Sequence, residues 1–220
     1  MSPAETSLTV LSAVGSYAVA AGLLTLLPGP DTVVVIATAV NAGRAAAVRA
    51  AFGIAAGLLL WGAAASIGIA AVLRASTEVY TVFKVVCIAY LLWLAVGALR
   101  GAFRRGATAE IPHDQARGLR AKLPWGFRQA FLTAAMNPKL GVFFVAFLPQ
   151  FIPPGTSIVG MTMLFSSIQA CEALLWFLLM GCLASIAQRW LSRRRVRRAM
   201  GGATGAVFLF FAARLVLERP

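Results

Sequence analysis

Leu23-Leu24-Thr25-Leu26-Leu27-Pro28-Gly29-Pro30-Asp31-Thr32-Val33-Val34-Val35-Ile36 is an apolar run with a helix breaker and an acid set in its middle. The apolar stretch around it, about Leu11–Val40, is longer than the roughly 20 residues that cross a bilayer as a helix. Proline removes a backbone donor and clashes with the preceding turn, and glycine adds backbone freedom. The pattern predicts a first helix broken near the middle of a membrane. Pro30 suits the first position of a new half-helix, and Asp31 in that first turn is favoured by the helix dipole. Backbone groups freed inside a membrane are tolerated only where protein or a water-filled cavity satisfies them. An acid there costs about 2.5–3.5 kcal/mol on insertion scales, which makes Asp31 a candidate functional residue. The plainer alternative is a structural kink that Asp31 caps.

The rest of the 220 residues fit the same medium. Hydrophobic residues make up 60% and charged ones 12%, with a mean hydropathy of +0.83. A water-facing domain carries about 25% charged residues, so the composition predicts one compact helical membrane domain over 1–220. Met1–Thr9 has a single charge, Glu5, and no basic residue. That start does not resemble a signal peptide, and it is read as leading into a retained first helix.

Further spans are expected at about Ala50–Leu73, Val79–Leu99, Phe127–Phe151, Ile158–Ala187 and Gly201–Leu217. Pro153-Pro154-Gly155 marks a turn. The net charge of +13 suggests nucleic acid until its distribution is read. The first connection holds Arg44 and Arg49. The third holds Arg100, Arg104, Arg105, Arg117, Arg120, Lys122 and Arg128. The fifth holds Arg189, Arg193, Arg194, Arg195, Arg197 and Arg198. The intervening turns carry almost no basic residues. The positive-inside rule then puts these three connections in the cytoplasm and both termini outside, with six spans. Five spans are the alternative count. A nucleic-acid partner is not expected. The partners expected are the lipid bilayer and a small-molecule substrate, with a homodimer as a further option.

Asn137-Pro138-Lys139 repeats the logic of the first break inside the fourth span, with Asn137 as N-cap and Pro138 at the first position. Each break sits at the same place in a three-helix half, about 10–100 and 126–218, joined by a basic linker over about 101–125. An odd number of spans per half inverts the second half. Paired interrupted helices in such a 3+3 inverted repeat point to a transporter binding site. The half-helix after Pro30 would run toward the cytoplasm and that after Pro138 outward, presenting both N-termini near the midplane. Helix N-termini favour anions such as a carboxylate. Asp31 would hold an ammonium, and Lys139 would balance Asp31 or meet the carboxylate, so a zwitterionic amino acid matches. The candidate substrate-binding residues are Pro28, Gly29, Pro30, Asp31, Asn137, Pro138 and Lys139.

Other polar residues are weighed against packing. Gln169 and Glu172 share a face of the fifth span; with Asp31 they are candidates for proton coupling, and a neutral, hydrogen-bonded Glu172 is the equal alternative. Lys84 reads as snorkelling. Gly53 and Gly57 form a small-residue face for helix packing. Trp61, Trp93, Trp125, Trp176 and Trp190 fit a mixture of interface anchors and core. Cys87, Cys171 and Cys182 read as small buried hydrophobes, and the lone His113 makes no metal site. No nucleotide-binding or catalytic fingerprint is present, so no enzyme, cofactor or metal is expected.

Pro28-Gly29-Pro30-Asp31 followed by Gly43-Arg44, then Gly53, Gly57 and Ala89-Tyr90-Leu91-Leu92-Trp93-Leu94, resembles the LysE-type exporter family, which includes lysine and homoserine/threonine exporters. So does Phe127-Arg128-Gln129-Ala130-Phe131-Leu132-Thr133 running into Asn137-Pro138-Lys139 and Phe147-Leu148-Pro149-Gln150-Phe151. The resemblance covers nearly the whole chain. It implies a secondary transporter in the bacterial inner membrane that exports amino acids or related metabolites, driven by ion or voltage gradients. It also implies a pathway at the two breaks. Members often have His where Leu58 or Trp61 stands and Gly where Ala47 stands. The missing histidines leave proton handling to Asp31 or Glu172. Competing classes are a non-transporting membrane scaffold or sensor, and a redox or metal-handling membrane protein. The latter would need paired Cys or His ligands that the sequence lacks.

Overall fold

The computed structural model describes residues 3–73, 77–103, 126–184, 186 and 193–217. His113, Trp125, Trp190 and nearly all of the linker lie outside the described residues, as do the side chains of Lys84 and Cys87. The described residues are helical: α1 Pro3–Leu26, α2 Pro30–Ala42, α3 Arg44–Leu73, α4 Thr77–Phe103, α5 Phe127–Ala135, α6 Pro138–Val142, α7 Ile158–Cys182 and α8 Arg194–Leu217. A π turn, Phe143–Phe147, and a 3₁₀ turn, Leu148–Phe151, extend α6.

Both expected breaks are present. α1 ends before Pro28-Gly29-Pro30 and α2 begins at Pro30 with Asp31 in its first turn. α5 ends at Ala135, and α6 begins at Pro138 with Asn137 as its N-cap. The second pair is bent by 49°. Boundaries elsewhere shift. The first span was expected from Leu11, yet the helix starts at Pro3, and Ser7–Leu26 alone is long and apolar enough to cross a membrane. The polar turn expected over Asn41–Arg49 shrinks to Gly43, whose φ of 82° ends α2. Alanines 45–47 then let α3 start at Arg44. Ile158–Cys182 and Arg44–Gly68 are further membrane-length helices, and the bent α5–α6 pair qualifies as a fourth span.

Side-chain contacts fix the directions. Tyr17 meets Gln169 and Phe165, Gly22 meets Glu172, and Val35 approaches Gly181, so α1 and α2 run parallel to α7. Ala47 lies by Gly181 and Gly62 by Ser166, so α3 is antiparallel to α7. Gly53 lies by Phe127, Gly57 by Ala134 and Trp61 by Gly141, so α5–α6 runs parallel to α3. The two broken segments therefore pass each other in opposite directions with their breaks side by side. Gly126 packs on Arg49, while Ala47 meets Gly181 near the end of α7. Arg44, Arg49 and Arg128 thus lie toward the same end of the molecule as the C-terminal end of α7.

Glycine permits these approaches. A Cβ on Gly53 would collide with the carbonyl of Phe127, and one on Gly57 would stand 2.6 Å from the Cβ of Ala134. Phe143, Phe147, Phe165 and Tyr17 fill the interior beside them, and Phe211 of α8 stacks on Phe147 at 3.7 Å. The outside is apolar too, with Ile67 74% and Leu175 70% exposed. That accounts for one correction: Cys171 and Cys182, expected as buried, are free thiols on the outer surface. In a lipid-facing protein both sides of a helix are apolar, so composition does not separate core from perimeter.

Gly57→Ala is expected to cost about 1–3 kcal/mol through overpacking. Gly68→Ala, with open space around it, should be neutral or stabilise by up to about 1 kcal/mol through helix propensity. Melting of the two purified variants in one detergent checks the opposite signs.

Candidate functional site

Pro28 has no N–H to donate to the Leu24 carbonyl, and Leu27 O loses its helical partner where the chain breaks. Both carbonyls accept from the same group: Lys139 Nζ donates to Leu24 O at 2.9 Å and to Leu27 O at 3.2 Å. These are the free carbonyls at the C-terminus of α1, where the helix dipole favours a cation. A lysine in the first turn of α6 is misplaced for its own helix. Its long side chain carries the charge to the end of another helix that needs it.

The second break is satisfied in the same manner. Pro138 withholds its donor from Ala134 O, and Trp61 Nε1 supplies one at 3.1 Å. Asn137 N also donates to Ala134 O at 3.1 Å. The Asn137 side chain accepts from Lys139 N at 3.0 Å, capping α6. Its amide nitrogen donates to Asp31 Oδ2 at 3.0 Å, tying the two breaks together. Thr32 Oγ1 accepts from Gly29 N at 3.4 Å at the start of α2.

Asp31 is 8% exposed and Asn137 3%. Asp31 Oδ1 is buried and has no hydrogen-bond partner. It lines a cavity of about 20 Å³ together with Thr25, Gly29, Thr32, Lys139 and Gln169. Leu58, Leu140 and Phe177 contribute apolar wall. That space holds about one water molecule.

Of the residues singled out in sequence, Gly29, Asp31 and Lys139 line this cavity; Asn137 holds Asp31, and Pro28, Pro30 and Pro138 make the breaks. Gly53 and Gly57 of α3 pack against α5 and do not line it. Gln169 is in the wall, bonded to Tyr17, whereas Glu172 lies a turn away against Gly22 with Oε2 buried and unpartnered. No cluster of metal-ligating side chains occurs among the described residues. Sequence reasoning missed three parts of this arrangement: Tyr17 as partner of Gln169, Trp61 as donor to the second break, and Gly141. A Cβ on Gly141 would stand 2.6 Å from the Trp61 ring. The signal available for Trp61 was the carbonyl that Pro138 leaves bare, which calls for a donor from a neighbouring helix.

A small cavity with polar side chains between two broken helices of an apolar bundle is the architecture of a membrane transporter. The chain belongs to the LysE family: the model of the LysE type translocator matches residues 23–219. It is 31% identical to an uncharacterised membrane protein of Pseudomonas aeruginosa, over 91% of this chain and 93% of that one. It is 28% identical to a threonine efflux protein of Escherichia coli, over 87% and 91% of the two chains. It is 27% identical to a homoserine/homoserine lactone efflux protein of Salmonella typhimurium, over 93% and 96%. No solved structure matches the chain. At the family level these relatives mark a transporter of the amino-acid exporter kind in a bacterial membrane.

Lys139→Met leaves Leu24 O and Leu27 O without their donor, and a buried acceptor left unsatisfied costs about 1–3 kcal/mol. Trp61→Phe removes one of two donors to Ala134 O. Thermal denaturation in detergent should therefore show a larger loss for Lys139→Met than for Trp61→Phe; the reverse order would sink this assignment of donors.

Proposed function

We propose that this protein is a secondary transporter that exports amino acids or closely related small metabolites across the bacterial inner membrane, with the substrate held where the two breaks meet. The observation that carries this reading is Asp31. Its carboxylate is fixed through Oδ2 by Asn137, while Oδ1 lines the cavity with no partner. A substrate ammonium supplies the missing donor. Lys139 Nζ lies 3.9 Å from where a Cβ on Gly29 would be, beside the N-terminus of α2. A substrate carboxylate would draw Lys139 away from Leu24 O and Leu27 O and meet the orphan N–H groups at the start of α2. The two charges of a zwitterion thus replace bonds that hold the breaks together.

An amino acid does not fit about 20 Å³, so loading requires the broken segments to part. The bond between Asn137 and Asp31 and the two bonds from Lys139 cross that seam. Asp31 and Glu172, with Gln169 in the cavity wall, are the groups available to couple movement to protons.

The same reading includes six crossings as two inverted halves. α3 and α5 run in the same direction, so the chain between them must return across the membrane. α4, with 27 residues, is about 40 Å long and is the element able to do so. The end that gathers Arg44, Arg49 and Arg128 faces the cytoplasm by the positive-inside rule, and both termini face outward.

Cells overexpressing the protein and loaded with a panel of dipeptides generate free amino acids inside, each of which is then followed in the medium. Faster efflux of one or a few is expected, and Asp31→Asn at equal membrane abundance should abolish it. Full export by Asp31→Asn would remove Asp31 from the site. No accelerated efflux of any amino acid by the unaltered protein would favour the scaffold or sensor reading.

A further inference from the structure

Asp31 Oδ1 is not alone in being buried without a partner. Thr38 Oγ1 and Thr162 Oγ1 share that state, and both threonines are fully buried. Neither lines the Asp31 cavity, yet each is in line with it. Asp31, Val35 and Thr38 follow one another at helical steps of four and three along a buried face of α2. Thr162, Ser166, Gln169, Ala173 and Phe177 do the same along α7, and the last three of them are cavity wall. Thr38 therefore extends the line of the cavity toward the Gly43 end of α2, and Thr162 extends it toward the start of α7. Because α2 and α7 run parallel, the two hydroxyls lie on opposite sides of the cavity. From Asp31 to Thr38, and from Thr162 to Gln169, each helix rises about 10 Å. With the cavity between them, they mark out most of the roughly 30 Å of a hydrocarbon core.

Hydroxyls inside a membrane bundle often bond one helix to the next. These do not. Gly62 brings α3 directly against Ser166, and the same antiparallel register sets Ser66 level with Thr162. Yet Ser166 donates to Thr162 O and Ser66 to Ala63 O, each within its own helix. On the Thr38 side the line runs between small residues, with Val35 and Ala47 meeting at Gly181. A buried hydroxyl without a partner destabilises a fold, and a methyl in its place would not.

We propose that Thr38 and Thr162 are stations on the substrate's route, which runs along the seam where α7 faces α2 and α3, with Thr38 on the Arg44 side of the cavity and Thr162 on the other. This rests on the substrate reading of the Asp31 cavity. A hydroxyl donates to a carboxylate and accepts from an ammonium, so one residue type serves both ends of a zwitterion. Being uncharged, it replaces water without holding the substrate as Asp31 and Lys139 would. A pathway needs sites favourable enough to enter and weak enough to leave.

The route is tested with a small cationic thiol reagent, methanethiosulfonate ethylammonium, on protein whose Cys87, Cys171 and Cys182 are replaced by alanine. Thr38→Cys should be labelled in inside-out vesicles and Thr162→Cys in right-side-out vesicles, with loss of efflux in each case. Leu175→Cys, which faces lipid, and Ala212→Cys, buried in α8 away from this line, should stay unlabelled. Thr38→Val and Thr162→Val keep the shape and remove the hydroxyl. They should melt no lower than the unaltered protein and export severalfold more slowly, whereas Thr38→Ser and Thr162→Ser keep most of the rate. The valine and serine variants decide the matter if a cysteine variant does not accumulate. Labelling of neither threonine position, labelling of both from the same side, or full export by both valine variants would overturn the route. Failure of the underlying site is seen separately, as full export by Asp31→Asn, and the labelling pattern does not depend on it.

Discussion

Pro28 and Pro138 each strip a carbonyl of its helical donor in a medium that offers no water to replace it. Everything else about the centre of this molecule follows from that debt of hydrogen bonds. An unsatisfied backbone group in hydrocarbon costs several kcal/mol, so each break demands a donor from elsewhere in the fold. The first is answered by Lys139 from the second broken segment, the second by Trp61 from α3. Asn137 then spans the gap to Asp31. Neither break is stable alone. Each is tolerable because the other half of the chain is packed against it, which ties the local sequence fault to the global arrangement.

That arrangement needs close backbones. Trp61 reaches Ala134 O only because α3 lies almost in contact with α5, and glycine at 53 and 57 is what allows it. The same holds for Gly141, which leaves room for the Trp61 ring. Without a hydrophobic drive between helices in lipid, such approach relies on van der Waals packing and on the polar bonds it permits. The small residues and the polar centre are therefore parts of one device.

The helical membrane class, both breaks and the residues around them were legible in the sequence, because proline chemistry is local. Pro30 and Pro138 begin helices for reasons confined to three or four residues. What was not legible depended on register between distant segments. Nothing near Lys139 says that its ammonium ends at the C-terminus of α1, and nothing near Tyr17 names Gln169 as its partner. The outward placement of Cys171 and Cys182 was hidden for another reason, since lipid and core prefer the same residues. Helix ends moved as well. Alanines after Gly43 extend α3 through residues that charge alone had marked as a turn.

The bonds that complete the breaks also explain why the site can be polar and still close. Lys139 and the carbonyls of α1 satisfy one another, so a buried cation does not stand idle. Only one oxygen of Asp31 is left over. On the function proposed above, a zwitterion would bring a carboxylate to compete for the lysine and an ammonium for that oxygen. Binding would then exchange bonds across the seam between the two broken segments for bonds to the substrate, so that the same few hydrogen bonds would weaken the seam on loading and restore it on release.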